Sequence, residues 1–265
     1  LVGRHDTPAK VAYYAAGVEN LGDSILDLNL GNNLSAAPSS LSPIGVFHEY
    51  RASDAIAYIS PNFSGFTFAA AVIPGEDGDA PTDGDRDSIN DHWSVGLMYA
   101  GGGLKASVGY AKYDLDDGSA GPTALPDWLP DLKTTVVPPT LEFDDYKVLQ
   151  AGASYTFSNF KIGGAYETSK NAAGVKDADY DAWGITGQAT FGNNAISLAY
   201  TSSKLDPDLN GSKVDGGGWG IAGEHNFSKR TKVYAAYASG ENEYDTVGVD
   251  DEDDDVFSLG MIHNF

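Results

Sequence analysis

The chain has 265 residues, 42% of them hydrophobic, which is too apolar for a disordered polymer and enough for one large domain or a barrel. Its formal net charge of -22, from 38 acidic against 16 basic residues, argues against a nucleic-acid partner, whose phosphates would be repelled, and favours cations as counter-species. The absence of cysteine excludes disulfides, thiolate catalysis and zinc-thiolate sites, and no apolar run reaches the roughly 18 to 20 residues of a membrane-spanning helix. A mean hydropathy of -0.27 would ordinarily suggest a soluble protein. A membrane barrel gives the same value, because its strands turn only alternate side chains to lipid.

The first element in the chain, residues 5–50, is too long for an ordinary connection and poor in strand periodicity. Its Ala15-Ala16-Gly17 and Gly31-Asn32-Asn33 runs, with Pro38 and Pro43, predict a folded loop with one helical turn. From residue 52 onward the pattern changes to alternating segments of about ten residues bounded by turn signals. Val95, Leu97 and Tyr99 share one face, Gly101-Gly102-Gly103 turns the chain, and Leu104, Ala106, Val108 and Tyr110 resume that face.

The same hairpin recurs with Leu149 to Phe157 before Ser158-Asn159 and Phe160, Ile162 and Tyr166 after it. It recurs with Trp183, Ile185 and Phe191 before Gly192-Asn193-Asn194, then Ile196, Leu198 and Tyr200. A further copy places Trp219, Ile221 and Phe227 before Ser228-Lys229-Arg230, followed by Val233, Ala235 and Tyr237. WGITGQATF (residues 183–191) aligns with WGIAGEHNF (residues 219–227), so the repeating unit is a strand pair. One last alternating strand carries Phe257, Leu259, Met261, His263 and Phe265. Phe157, Phe191, Phe227 and Phe265 each end a strand at a tight turn or the terminus, as an interfacial aromatic girdle requires.

Short turns alternate with long polar loops near residues 75–92, 114–145, 170–180, 205–217 and 240–255. One trimmed rim and one elaborate rim predict an all-β, transmembrane antiparallel β-barrel rather than a soluble sandwich. Counting from residue 52 gives about eleven strands, an odd number for a bacterial barrel. On the face opposite the apolar band fall Lys105, Ser107, Lys161, Thr186, Gln188 and Lys232, suited to a watery lumen.

Particular segments resemble the general porins of Proteobacteria, the neisserial and burkholderial group in particular. GRHDTPAK (residues 3–10) resembles the segment leaving strand five and opening loop three. RASDAIAYISPNFSGF (residues 51–66) resembles strand six and the start of strand seven, and FSKRTKVYAAY (residues 227–237) the last hairpin. The terminal HNF (residues 263–265) resembles the closing strand. The resemblance implies a sixteen-stranded trimeric barrel of which residues 52–265 supply strands six to sixteen and residues 5–50 the constriction loop, with about five N-terminal strands outside this sequence.

It implies an outer-membrane channel for passive diffusion of small hydrophilic solutes, without a cofactor. Arg4 and Arg51 would stand on the basic wall, opposed by loop carboxylates chosen from Glu19, Asp23, Asp27 and Glu49. Lys105, Lys161 and Lys232 would face the lumen. Acidic loops such as residues 250–255 would favour cations, or bind divalent ions among lipopolysaccharide phosphates. Asp206, Asp208 and Asn210 copy half of an EF-hand loop, but Gly217 replaces its bidentate Glu, leaving at most a looser calcium site. The rival functions are a substrate-selective channel, a barrel enzyme and a soluble β-sandwich lectin. For an enzyme, His5, His48, His92, His225 and His263 are the available histidines, and no Ser-His-acid arrangement can be argued from their positions.

Overall fold

The computed structural model describes residues 2–22, 24–28, 42–48, 51–73, 92–114, 142, 144–206, 213–245 and 250–263. Among them, twelve strands form one antiparallel sheet in which every strand pairs with its sequence neighbours. They are β1 (Val2–Asp6), β2 (Arg51–Ile59), β3 (Phe66–Ile73), β4 (His92–Gly101), β5 (Leu104–Tyr113) and β6 (Tyr146–Phe157), then β7 (Phe160–Lys170), β8 (Asp179–Phe191), β9 (Asn194–Asp206), β10 (Val214–Asn226), β11 (Thr231–Tyr244) and β12 (Glu252–His263). The eleven strands expected from residue 52 onward are β2 to β12. The short β1 is an addition to that count.

The alternation read from the sequence sorts the side chains into two faces. Outward positions such as Ile162, Ile185 and Leu259 are 60%, 54% and 72% exposed, and together they form an apolar band far larger than a soluble protein presents to water. Inward positions are small or polar: Ser94, Ala182, Ser197 and Ala238 have no exposed surface at all. The tight turns fit their residues. Gly102 and Gly103 adopt φ of +58° and +86°, the left-handed pair that a two-residue hairpin linking right-twisted strands requires.

Two sequence expectations change. The single helical turn is an eight-residue helix, α1 (Pro8–Ala15), begun by Thr7, whose Oγ1 accepts the Lys10 N–H at 3.4 Å, and by Pro8 in its first turn. The acidic run at residues 250–255 is partly strand: Glu252, Asp253, Asp254 and Asp255 face Asn242, Glu241, Gly240 and Ser239 of β11. The β11–β12 ladder continues above the apolar band, where water solvates the charges and the backbone pairing need not stop.

Just before β6, the Asp145 carboxylate bridges Lys112 of β5 at 2.9 Å and Lys147 of β6 at 3.3 Å. Burial opposes its charge, but the two lysines outweigh it and hold the carboxyl below the usual range. A depressed folded pKa gives stability that is complete above the unfolded value and lost as pH falls through the folded one. Asp145→Asn should therefore lower stability by about 1 kcal/mol at pH 7. The difference between the two proteins should shrink as pH falls through the depressed folded pKa, since the carboxyl is then protonated in both states; thermal unfolding in detergent across an acid pH series checks this.

Candidate functional site

The segment between β1 and β2 turns inward and is seated on the inner wall. α1 lies over Gly96 of β4 and Gly109 of β5, where the Ala9 N–H donates to Ser94 Oγ at 2.9 Å. Past the helix, wall side chains donate to successive loop carbonyls. Ser154 reaches Ala16 O at 2.6 Å, Thr186 reaches Val18 O at 2.5 Å, and Lys161 Nζ reaches Glu19 O at 3.0 Å. The returning limb is held in the same way, with Thr201 donating to Ile44 O at 2.8 Å, Tyr180 to Val46 O, and Gln150 to His48 O at 2.8 Å. The carbonyls of residues 44, 46 and 48 alternate as in a strand, so one edge of this limb faces the wall.

Between these links the loop buries Val18, Leu21, Leu28, Ile44 and Phe47 almost completely against alanines of β7 to β11. Each such side chain contributes about 1.5–3 kcal/mol when fully buried. The inward glycines make this approach possible. A Cβ at Gly152 would stand 2.9 Å from Ala16 Cβ, and one at Gly163 would stand 3.1 Å from Val18 Cα.

On its other side the loop borders a recess of about 400 Å³ lined by Asp6, Lys10, Tyr14, Glu19, Gly22 and Arg51. Asp6 Oδ1 lies 3.2 Å from Lys10 Nζ and 3.1 Å from Arg51 Nε, so one carboxylate of β1 serves a cation of α1 and a cation of β2. Glu19 accepts a hydrogen bond from Tyr13 at 3.0 Å. The recess thus gathers two negative and two positive side chains, with Asp6 shared by both cations. It differs from acids on the loop facing bases on the wall.

Among the residues expected at the constriction, Arg51 and Glu19 line this recess. Asp27 is half-buried in the turn it closes on Ser24, and it is not among the lining residues. Arg4 belongs to β1, while its side chain, Asp23 and Glu49 lie outside the described residues. Lys105 and Lys161 both lie beneath the loop, the former with its stem against Gly17, and Lys232 pairs with the buried Glu224 at 2.7 Å. Asp206 is paired with Lys213 at 2.6 Å; Asp208 and Asn210 lie outside the described residues, among which no cluster of metal-ligating side chains occurs.

Phe157, Phe191 and Phe227 are 48%, 49% and 65% exposed at the turn-side rim, and Phe265 lies outside the described residues. Asp6, Lys10 and Tyr14 were not singled out from the sequence. The Asp6/Lys10 spacing of four at a helix start was the available signal.

An antiparallel sheet with an apolar outer band, lined inside by a folded-in loop that borders a charged recess, defines a β-barrel channel of the outer membrane. The chain belongs to the Gram-negative porin family, which it matches over residues 1–263. It is therefore an outer-membrane porin of a Gram-negative bacterium. In-vitro folded OmpT, an outer membrane protein of Vibrio cholerae, is 15% identical, with 99% of this chain and 74% of that chain covered and a TM-score of 0.61. Salmonella typhi OmpF, solved in complex with daunomycin, is 13% identical, with 97% and 73% covered and a TM-score of 0.58. These likenesses show a shared fold. A comparison with curated proteins returned no match.

Proposed function

We propose that the channel passes small hydrophilic solutes and ions by passive diffusion and prefers cations. The observation that carries the preference is the acidic rim. Directly across the strands, Glu241 faces Asp253 and Asp215 faces Glu243. Like charges so placed weaken a sheet unless cations gather around them, and the same field raises the cation concentration at the mouth. Family membership supports a channel rather than an enzyme, since a diffusion pore needs a lumen and a constriction but no catalytic group.

The segment spanning residues 5–50 is the constriction loop, and its recess is the eyelet edge that this chain contributes. Among the described residues β1 and β12 are not paired with each other. We infer a barrel of sixteen strands, the number that the resemblance to proteobacterial porins implies. The assembly is a homotrimer, supported by the trimer form in which OmpT was solved at a TM-score of 0.59. Outer-membrane lipid and lipopolysaccharide surround it, with divalent cations between lipid phosphates and the acidic rim.

In planar bilayers under a potassium chloride gradient, the reversal potential should carry the sign of cation preference. Glu241→Gln, Glu243→Gln and Asp253→Asn together should reduce it, most strongly below about 0.1 M salt, where the Debye length exceeds roughly 10 Å. Anion preference in the parent channel would sink the proposal. Concentration-dependent block by sugars would instead favour a substrate-selective channel.

A further inference from the structure

We propose that His48 is a positioning residue of the constriction, locking the returning limb of the loop onto β6 and β7 through the buried carboxylate of Glu167. Glu167 points inward from β7 and has no exposed surface. Its Oε2 accepts the His48 backbone N–H at 2.9 Å and a Gln150 Nε2 proton at 2.7 Å, while Oε1 meets His48 Nδ1. Gln150 also donates to the His48 carbonyl at 2.8 Å. The three residues close a ring: the loop residue offers its N–H, its ring and its carbonyl, and two wall side chains take all three.

This link differs in kind from its neighbours. Thr201 and Tyr180 hold Ile44 and Val46 through neutral hydroxyl-to-carbonyl bonds. Hydrogen bonds to an ionised carboxylate are roughly twice as strong as neutral ones. Truncating His48 takes the ring away from Oε1 and leaves one oxygen of a buried carboxyl without that partner, so it also destabilises the wall that received it. Tyr180 packs edge-on against the imidazole at 4.7 Å between ring centroids and Tyr146 at 6.4 Å, which keeps water from replacing the lost bonds.

The proposal rests on residues 5–50 being the constriction, and the test separates the two. The chain has no cysteine, and Val46 is 2% exposed, so Val46→Cys gives one buried thiol in the returning limb. Its labelling by a membrane-impermeant maleimide reads opening of that limb, and single-channel recording of the same full-length protein reads the pore. Adding H48A or E167A should raise the labelling rate about tenfold or more. E167Q should fall between the V46C parent and E167A, because its amide oxygen still accepts the His48 N–H but lacks the carboxylate's charge.

Labelling of H48A at the parent rate would overturn the latch. Where H48A does not assemble, E167A against E167Q decides the same question, and equal rates overturn it. Faster labelling with noisier open-channel current supports both the latch and the constriction. Faster labelling with an unchanged current leaves the latch standing and removes the loop from the constriction.

Discussion

A valine at Gly96 or Gly109 should lift α1 from the wall toward the pore axis and roughly halve single-channel conductance. The two glycines are register partners on β4 and β5, directly beneath the helix. A Cβ at Gly96 would lie 2.5 Å from Pro8 O and 2.9 Å from Ala12 Cβ; one at Gly109 would lie 2.7 Å from Ala9 Cα. These neighbours are helix backbone or are fixed to it, so no side-chain rotation relieves the overlap. The strands are locked by ten consecutive β4–β5 pairs, and the helix is the part that moves. Such overpacking costs about 1–3 kcal/mol.

Gly187→Val is the matched control, because its Cβ would meet nothing within 4 Å. It should leave conductance unchanged and raise stability by about 0.5–1 kcal/mol as strand glycine is replaced. Conductance steps in bilayers, with the temperature at which the folded form is lost in detergent, check both. Equal conductance for Gly109→Val and the parent would mean that α1 does not border the ion path.

These glycines show why the fold was more legible than the site. Period-two alternation at Val95, Leu97 and Tyr99 needs only the strand's own geometry, so it fixed the lipid face and the hairpin pairing locally. The inward glycines carry no such label. Gly109, Gly152 and Gly163 make room for the loop backbone, which the alternation does not mark. A missing side chain cannot announce what replaces it.

The helix start is written in Thr7-Pro8, a cap followed by a first-turn proline, but the low strand periodicity around it fits a loop equally well. The charges were harder still. Arg51 carries the right chemistry for a basic wall, yet its partner Asp6 sits 45 residues earlier, on the neighbouring strand. Only the β1–β2 register, with Asp6 opposite Arg51, brings them together. Likewise Glu167 reads as one more polar inward residue until His48, 119 residues before it, closes over it.

Asp6→Asn should shift the channel toward chloride, and Arg51→Gln should shift it toward potassium. The recess holds two carboxylates, Asp6 and Glu19, against two cations, Lys10 and Arg51. Removing Asp6 leaves one net positive charge beside the permeating ion; removing Arg51 leaves one net negative charge. A unit charge about 4 Å away is worth about 1 kcal/mol even in water. Relative permeability should therefore change roughly two- to fivefold in each direction. Stability should hardly move, because Arg51 and Asp6 are 46% and 42% exposed and such pairs contribute about 0–1 kcal/mol.

The separation of selectivity from stability is the signature of charges that work on solutes rather than on the fold. The double variant keeps one cation and one carboxylate, so its reversal potential should return to near the parent value. The single shifts should shrink in about 1 M salt, where screening acts within roughly 3 Å. A reversal potential unmoved by Asp6→Asn at low salt would take the recess off the ion path.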